Sequence, residues 1–332
     1  MSNRQGYSRR TVLLMSGAVL ATAPVQSLAA DAAYKIAFAN RNASGEQLVK
    51  AFFDMLSMTG SPTGTIGTTA EQDKASIALV KPYLDVGFQI QRASGERYTA
   101  ETYLPSDVDD YEFGDLRETR PSQDVVVVRY SIRATATLPD KALVLSSDRA
   151  PRLTVFHWNS SASMWQILSH ANFNTPIGSI CDKKPLINNG LQSTVSGEDL
   201  RLGVSLTEKW FNLLEQGDGS PMLNKHVQGQ AAGGLGYTTP SEYPSGFLSK
   251  VTINDIVVTR SKNLIVTSLY LKAAQSVWQS QELGTDTKPR LLTFMREADD
   301  NWSLIATAVF NPPKELPPEL RCVPSGIQEE AL

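Results

Sequence analysis

The stretch Trp165–Pro176, WQILSHANFNTP, returns later in the chain as Asn301–Pro313, NWSLIATAVFNPP. Each copy has an early tryptophan and closes with Phe-Asn-x-Pro, so both copies are read as the same strand. The centres differ, because His170 and Asn172 of the first copy are not repeated in the second. A repeated strand with unequal centres indicates a duplicated fold in which one copy carries polar side chains that the other lacks.

The duplication extends over most of the chain. Five further segments recur in the same order: Phe52–Leu56 with Trp210–Leu214, Pro82–Thr99 with Pro221–Thr238, Asp115–Arg120 with Asp255–Arg260, Asp124–Ala134 with Asn263–Ala273, and Pro151–Phe156 with Pro289–Phe294. We therefore predict a first domain over residues 33–182, a linker over 183–197, a second domain over 198–318 and a C-terminal tail over 319–332.

Each copy has the same predicted order of elements. Ser44 and Gln47 form a capping box before an amphipathic helix, and a second helix is expected in an insertion of the first copy. The pattern then predicts a short strand at Phe88–Gln91 and a short helical piece from Tyr98. Four longer strands are expected after them: Tyr111–Thr119, Val125–Ala136, Leu153–Trp158 and Trp165–Phe173. Helices followed by strands predict an α+β fold, with a curved antiparallel sheet packed on N-terminal helices.

This order resembles the nuclear-transport-factor-2-like superfamily, also called SnoaL-like, with a cystatin-like fold. The resemblance is carried by the helix EQLVKAFFDML, the strands VVVVRYSIRA and RLTVFHW, and the closing strand with its tryptophan and histidine. It implies two tandem cone-shaped domains packed as a pseudo-dimer, each with a pocket inside the cone. The superfamily includes isomerases, cyclases, dehydratases, hydrolases and binding modules, so the resemblance does not fix a function.

The N-terminal 32 residues read as an export signal. Arg4, Arg9 and Arg10 precede an uncharged run, which small residues follow. The sequence SRRTVLL resembles the twin-arginine signal; the general secretory route and an uncleaved anchor remain alternatives. We expect a periplasmic or secreted bacterial protein that has no membrane association after cleavage.

Composition excludes some partners, and the two cysteines leave the presence of a disulfide undecided. The 332 residues are 41% hydrophobic and 20% charged with a net charge of −3, which is typical of a soluble globular protein and gives no basis for nucleic-acid binding. Cys181 and Cys322 lie in no zinc or redox motif, so no metal or other cofactor is expected. The two cysteines form either an inter-domain disulfide or two free thiols.

Three histidines are the starting point for a site, and two of them lie in the first copy. Strict alternation would place Leu168, His170, Asn172 and Asn174 on one strand face and Trp165, Ile167, Ala171 and Phe173 on the other. His170 is read as a general base or ligand donor, or else as a strand histidine bonded to a neighbour. We take His170 and Asp85 as candidate catalytic residues, and predict the following ligand-binding set: Tyr98, His157, His170, Asn172 and Asn174.

Two functions have a local signature in the sequence, and a third, an interaction module whose sheets bind another exported protein, leaves none. The first is an exported binding or scaffold protein whose first domain holds a pocket for a small apolar or cyclic ligand. The second is an enzyme, such as a cyclase, dehydratase, isomerase or hydrolase, that uses His170 with Asn172 or Asp85 for a proton transfer. An enzyme would require His170 to lie within hydrogen-bond reach of one of those two residues.

Overall fold

The structure is a computed structural model that describes residues 33–58, 70–105, 107–137, 143–145, 150–173, 186–232, 234, 236–238, 240, 247–278 and 281–311. Its helices are α1 (33–39), α2 (Gly45–Leu56), α3 (Ala70–Val80) and α4 (Gly197–Glu215). Short 3-10 helices cover Lys81–Tyr83 and Ser220–Met222. The fold is α+β, as the sequence predicts.

The first sheet contains seven strands, which follow α1–α3. They are β1 (Leu84–Arg92), β2 (Arg97–Thr99), β3 (Asp107–Ser122), β4 (Val125–Thr137), β5 (Leu143–Leu145), β6 (Ala150–Asn159) and β7 (Met164–Asn172). Their order is β2-β1-β7-β6-β4-β3, with β5 added to β4. We call α1–α3 and this sheet the first unit.

The second sheet repeats this order after α4. Its strands are β8 (Leu223–Ala231), β9 (Gly236–Tyr237), β11 (Thr252–Ser261), β12 (Leu264–Lys272), β15 (Lys288–Arg296) and β16 (Trp302–Val309), arranged β9-β8-β16-β15-β12-β11. A three-stranded sheet adds β10 (Phe247–Ser249), β13 (Gln275–Trp278) and β14 (Gln281–Glu282). We call α4 and these two sheets the second unit.

Two details of the predicted sheet are wrong. Each six-strand path is mixed rather than antiparallel, because β1 runs parallel to β7 and β8 runs parallel to β16. In each unit the parallel pair joins the first strand along the chain to the last one. The helical piece expected from Tyr98 is instead the short strand β2, which pairs with Gln89–Gln91 of β1.

Helix α2 begins at the capping box that the sequence predicts. The Ser44 side chain accepts from the Gln47 backbone, and the Gln47 side chain accepts from the Ser44 N–H, which satisfies two free donors at the helix start. Its apolar residues, such as Leu48 and Phe52, are buried in a core with strand residues such as Val128 and Tyr130. The face of the first sheet toward the helices is therefore an internal surface.

The opposite faces of the two sheets pack on each other. One apolar cluster contains Val127 and Leu168 from the first sheet together with Val266 and Ile305 from the second. The phenylalanines of the two Phe-Asn-x-Pro motifs, Phe173 and Phe310, stack with ring centroids 4.4 Å apart and an interplanar angle of 18°. In each repeat the shared phenylalanine therefore packs against its counterpart.

Two glutamines cross between the sheets in opposite directions. The amide Nε2 of Gln89 donates to the carbonyls of Val257 and Val266 at 3.3 and 2.9 Å. The amide of Gln228 donates to the carbonyls of Arg117 and Val127 at 3.0 and 2.9 Å. Under the alignment of the two copies, Arg117 and Val127 correspond to Val257 and Val266. The two glutamines thus make equivalent bonds to equivalent strands.

The described part of the predicted linker, 186–196, contacts both units. The Ile187 N–H donates to the Ser94 carbonyl at 2.9 Å, and its own carbonyl accepts from the Tyr270 hydroxyl at 3.2 Å. The Ser193 hydroxyl accepts from the Val258 N–H at 2.9 Å. The segment is consequently held along the contact between the two sheets.

Several predicted features lie outside the described residues: the export signal over 1–32, Asn174, Cys181, Cys322 and the tail over 319–332. Within the described ranges, the helices are too short or too polar to cross a lipid bilayer. The same ranges contain no group of three or more histidine, cysteine, aspartate or glutamate side chains that could hold a metal ion.

We expect Gln89→Met to lower the free energy of unfolding by about 1–3 kcal/mol, because it leaves buried carbonyls of the second sheet without a donor. Gln228→Met should have an effect of the same order, and urea denaturation of the mature chain measures both. The matched control is Gln192→Met at an exposed position, for which we expect a change within about 0.5 kcal/mol. Equal effects at all three positions would refute the stabilising role of the crossing glutamines.

Candidate functional site

A β-bulge in β7 decides where His170 points. Val155 pairs with Ser169 while the next residue, Phe156, pairs with Ile167, so Leu168 is the extra residue on its strand. A bulge of this kind breaks the two-residue alternation. The predicted face assignment is therefore wrong: Leu168 packs toward the second sheet, and His170 faces the helices together with Ile167.

After the bulge, four polar residues lie in one row across four strands. Arg92 of β1 pairs with Asn172 of β7, Asn172 pairs with Arg152 of β6, and Arg152 pairs with Tyr130 of β4. Residues directly opposite one another share a face of the sheet, and Tyr130 belongs to the core on the helix side. The row Arg92–Asn172–Arg152–Tyr130, which we call the polar row, therefore lies on the inner face of the first unit.

His170 lies one step further into the sheet than the polar row. It pairs with Ile90 and Thr154 in the neighbouring strands, is 3% exposed, and packs edge-on against the Phe52 ring at 5.4 Å between centroids. Its Nδ1 is 2.8 Å from the Thr154 hydroxyl, which is 3.1 Å from the Tyr130 hydroxyl. Burial, together with the charges of the nearby arginines, holds the pKa of His170 well below its usual value.

Arg152 is a buried cation without an acidic partner among the described residues. Its side chain is 3% exposed, its Nη1 donates to the carbonyl of the preceding Pro151 at 2.8 Å, and its Nε has no hydrogen-bond partner. Burial lowers the pKa of this guanidinium to about 10. A buried charge that is not neutralised is strongly unfavourable, so this position calls for an anionic or acceptor-rich partner.

Arg92 and Tyr98 continue the site beside the polar row. The Arg92 guanidinium lies 5.0 Å from the centre of the Tyr98 ring, and its Nη1 is 3.8 Å from Glu96. The Tyr98 hydroxyl donates to Glu96 at 2.8 Å. Nearby, burial raises the pKa of Tyr103 to about 12, which keeps this hydroxyl protonated. Three members of the predicted ligand-binding set, Tyr98, His170 and Asn172, therefore lie within one cluster.

His157 and Asp85 lie elsewhere, on the face toward the second sheet. His157 Nδ1 is 2.7 Å from the Asp85 carboxylate, and both side chains are buried. Burial raises the pKa of Asp85, but hydrogen bonds from His157, Gly87 and Ser261 outweigh it and leave the pKa below its usual value. The structure does not bring His157 to the cluster of Tyr98, His170 and Asn172, since its neighbours Phe156 and Trp158 occupy the helix-side core.

The second unit has the same row with different contents. Ala231, Val309, Arg290 and Leu269 pair across the sheet at the positions of the polar row. Only the arginine is kept. Here the structure contains a cavity of about 20 Å³, which has room for about one water molecule. Its lining includes Arg290, Thr307 and Val309 from the sheet, aromatic and aliphatic residues of α4, and residues of β10 and β13.

The sequence reasoning missed Arg92 and Arg152. A signal was present for Arg152, because it stands in the repeated PRLTVF/PRLLTF motif and therefore recurs as Arg290. Arg92 is replaced by Ala231 in the second copy, which is the same kind of difference that singled out His170 and Asn172. In the second copy, side chains are smaller at several positions of one row. The space results from these changes together, so no single position in the sequence indicates it.

Neither a protein-family model nor a curated protein matches this chain. Solved structures to which it is similar include an NTF2-like protein from Cytophaga hutchinsonii, with 18% identity, 34% of this chain and 97% of that chain covered, and a TM-score of 0.29. An NTF2-like protein with a cystatin-like fold from Novosphingobium aromaticivorans has 11% identity, coverages of 37% and 87%, and a TM-score of 0.27. A candidate ketosteroid isomerase from Shewanella frigidimarina has 16% identity, coverages of 32% and 92%, and a TM-score of 0.25.

The low pKa of His170 predicts a stability loss in mild acid. Below the ordinary value of 6.5 the unfolded chain binds a proton that the folded chain does not, so stability falls as the pH is lowered. Between pH 7 and pH 5 we expect His170 to account for about 2 kcal/mol of lost unfolding free energy. Urea denaturation of His170→Gln should show a shallower pH dependence than the wild type. An NMR titration of the His170 ring with a midpoint near 6.5 would contradict this.

Proposed function

We propose that this chain is an exported small-molecule-binding protein of the nuclear-transport-factor-2-like superfamily, with its ligand site on the inner face of the first unit. The mixed sheet in the order β2-β1-β7-β6-β4-β3, packed on N-terminal helices, supports the superfamily. The site comprises the polar row with His170 and Tyr98. The ligand is a small cyclic or apolar molecule that carries an anionic or acceptor-rich group.

The observation that carries the proposal is the buried Arg152 guanidinium. Its described hydrogen bond is to its own neighbour's carbonyl, and Arg92 lies in the same row. Two guanidinium groups and the Asn172 amide offer several hydrogen-bond donors to one side of a ligand. The Phe52 ring and the aliphatic residues around His170 provide an apolar surface beside those donors.

Binding is better supported than proton-transfer catalysis. A general base works best with a pKa near the working pH, whereas burial and neighbouring cations lower the pKa of His170. Its Nδ1 bonds to Thr154, and Asp85 bonds to His157 on the other face of the sheet. The geometry therefore does not favour the pairing of His170 with Asp85, one of the two partners considered for an enzyme.

We further propose that the two units imitate a two-fold dimer within one chain. Their identical strand order, the crossing glutamines Gln89 and Gln228, and the stacked Phe173–Phe310 pair support this arrangement. In an isologous interface each contact occurs twice with the roles exchanged, which is the pattern that the two glutamines follow. The second unit would then take the place that the second subunit has in a two-fold dimer.

A ligand screen by thermal shift tests the site in the first unit. The probes are aromatic and cyclic carboxylates, each with its neutral amide counterpart. We expect at least one carboxylate to raise the Tm of the wild type by about 3 °C or more at saturation, and Arg152→Met to remove this rise. Arg201→Met, at an exposed position of α4, should keep it. If no compound stabilises the protein, or if Arg152→Met responds as the wild type does, the site is wrong.

Export is tested with the N-terminal arginines. If Arg9 and Arg10 direct the chain to the twin-arginine route, the double variant Arg9→Lys, Arg10→Lys should retain the precursor in the cytoplasm of a bacterial host. Cell fractionation and immunoblotting measure this. An unchanged amount of processed protein outside the cytoplasm would instead indicate the general secretory route.

A further inference from the structure

The strongest unexplained feature of the second unit is a buried charge beside an internal space. Arg290 is 3% exposed and lines the cavity. Its Nη1 donates to the carbonyl of the preceding Pro289 at 2.8 Å. Among the described residues, no other hydrogen-bond partner and no carboxylate contacts this guanidinium. A cation that is removed from water in this way requires compensation.

The surroundings of Arg290 do not supply that compensation. Burial alone lowers its pKa to about 9, with no contribution from a neighbouring charge. At neutral pH the guanidinium therefore remains a cation inside an apolar wall. That wall includes Trp210, Phe211 and Leu283, whose side chains accept no conventional hydrogen bond at this site.

Two hydroxyl groups share the cavity with the guanidinium. Ser276 and Thr307 both line it, and both residues are buried, with 4% and 2% exposure. A hydroxyl and the free nitrogens of a guanidinium are all donors. The cavity thus presents several donors and one positive charge in a space of about 20 Å³, far below the roughly 300–1,000 Å³ of sites for drug-sized ligands.

We propose that the cavity of the second unit binds a small monovalent anion, of the size of chloride, formate or acetate, with Arg290 as its counter-ion and the hydroxyls of Ser276 and Thr307 as further donors. An anion there neutralises the buried guanidinium and accepts hydrogen bonds from groups that otherwise lack acceptors. This site is separate from the polar row of the first unit. The buried charge, the two hydroxyl groups and the cavity carry this assignment.

The volume of the cavity limits which anions can enter. Chloride is close to the size of one water molecule and formate and acetate are the smallest carboxylates, whereas an aromatic carboxylate exceeds the space between α4 and the sheet. The size limit also separates this site from the one proposed in the first unit, because the two sites are assayed with different probes.

Thermal denaturation of the mature chain tests the anion site. Sodium chloride, formate and acetate are titrated at constant ionic strength, with sodium gluconate as the balancing salt because its anion is too large for the cavity. We expect one or more of the small anions to raise the Tm saturably, by about 3 °C. The neutral isosteres formamide and acetamide should give no such rise. Comparison of chloride with the two carboxylates identifies which class of anion the site takes.

Variants locate the response in the cavity. Arg290→Met should abolish the saturable rise, and Val309→Leu should weaken it at least tenfold by filling the space while leaving the charge in place. Arg201→Met, at an exposed position of α4, is the matched control and should respond as the wild type does. Because Arg290→Met removes a buried group and can impair folding, line broadening of ¹³C-labelled formate in NMR with the Val309→Leu variant gives a second test.

The proposal is overturned by any of three results. These are the absence of a saturable response to all three small anions, an equal response to acetamide and acetate, and an unchanged anion response in Val309→Leu. Loss of the response in Arg201→Met would also overturn it, since the response would then depend on exposed charge rather than on the cavity.

Discussion

The rest of the structure depends on the hydrogen bonds that Gln89 and Gln228 donate across the contact between the two sheets. Both side chains are fully buried, so their amides must find acceptors within the protein. Those acceptors are backbone carbonyls of the opposite sheet, two of which follow a β-bulge in their strand. The bulges coincide with left-handed residues at equivalent positions, Asp115 and Asp255, each with φ of 51°.

This contact determines which surface of each sheet is left for ligands. A sheet has two faces, and in this chain one face of each sheet is used against the other. Polar groups on that face, such as Asp85 and His157, are satisfied by each other and by the opposite sheet. Their burial is therefore explained by packing. The face toward the helices remains, and both Arg152 and Arg290 lie there with incomplete hydrogen bonding.

Much of the fold could be predicted from sequence because it depends on local rules. The capping box at Ser44, the amphipathic helix that follows and the repeated strand each leave a short, regular pattern. The face of His170 could not be predicted, because one extra residue at Leu168 reverses the alternation and period-two reasoning assumes that no such residue exists. The parallel pairing of β1 with β7 also depends on which strands meet in space, which a local pattern does not show.

The site was predicted only in part, for a similar reason. His170 and Asn172 drew attention because they differ between the copies, whereas Arg152 is kept in both and looked like part of the fold. The structure places this shared arginine beside the residues that differ. A comparison of two copies finds changes, but a retained charge becomes informative only when its burial and its lack of partners are known.

The two units then represent two ways of surrounding the same buried arginine. In the first, Tyr130, Asn172 and His170 fill the inner face with large polar side chains. In the second, the corresponding Leu269, Val309 and Thr307 are smaller or apolar. Loss of those polar groups lowers the local polarity and opens a cavity at the same time. Burial lowers the pKa of both arginines, and among the described residues of the second unit no neighbouring charge or tyrosine hydroxyl offsets it. An apolar side chain of similar volume would fill the same position without the free-energy cost of burying a charge. Retention of the arginine is therefore better explained by a role in holding an anion than by packing alone.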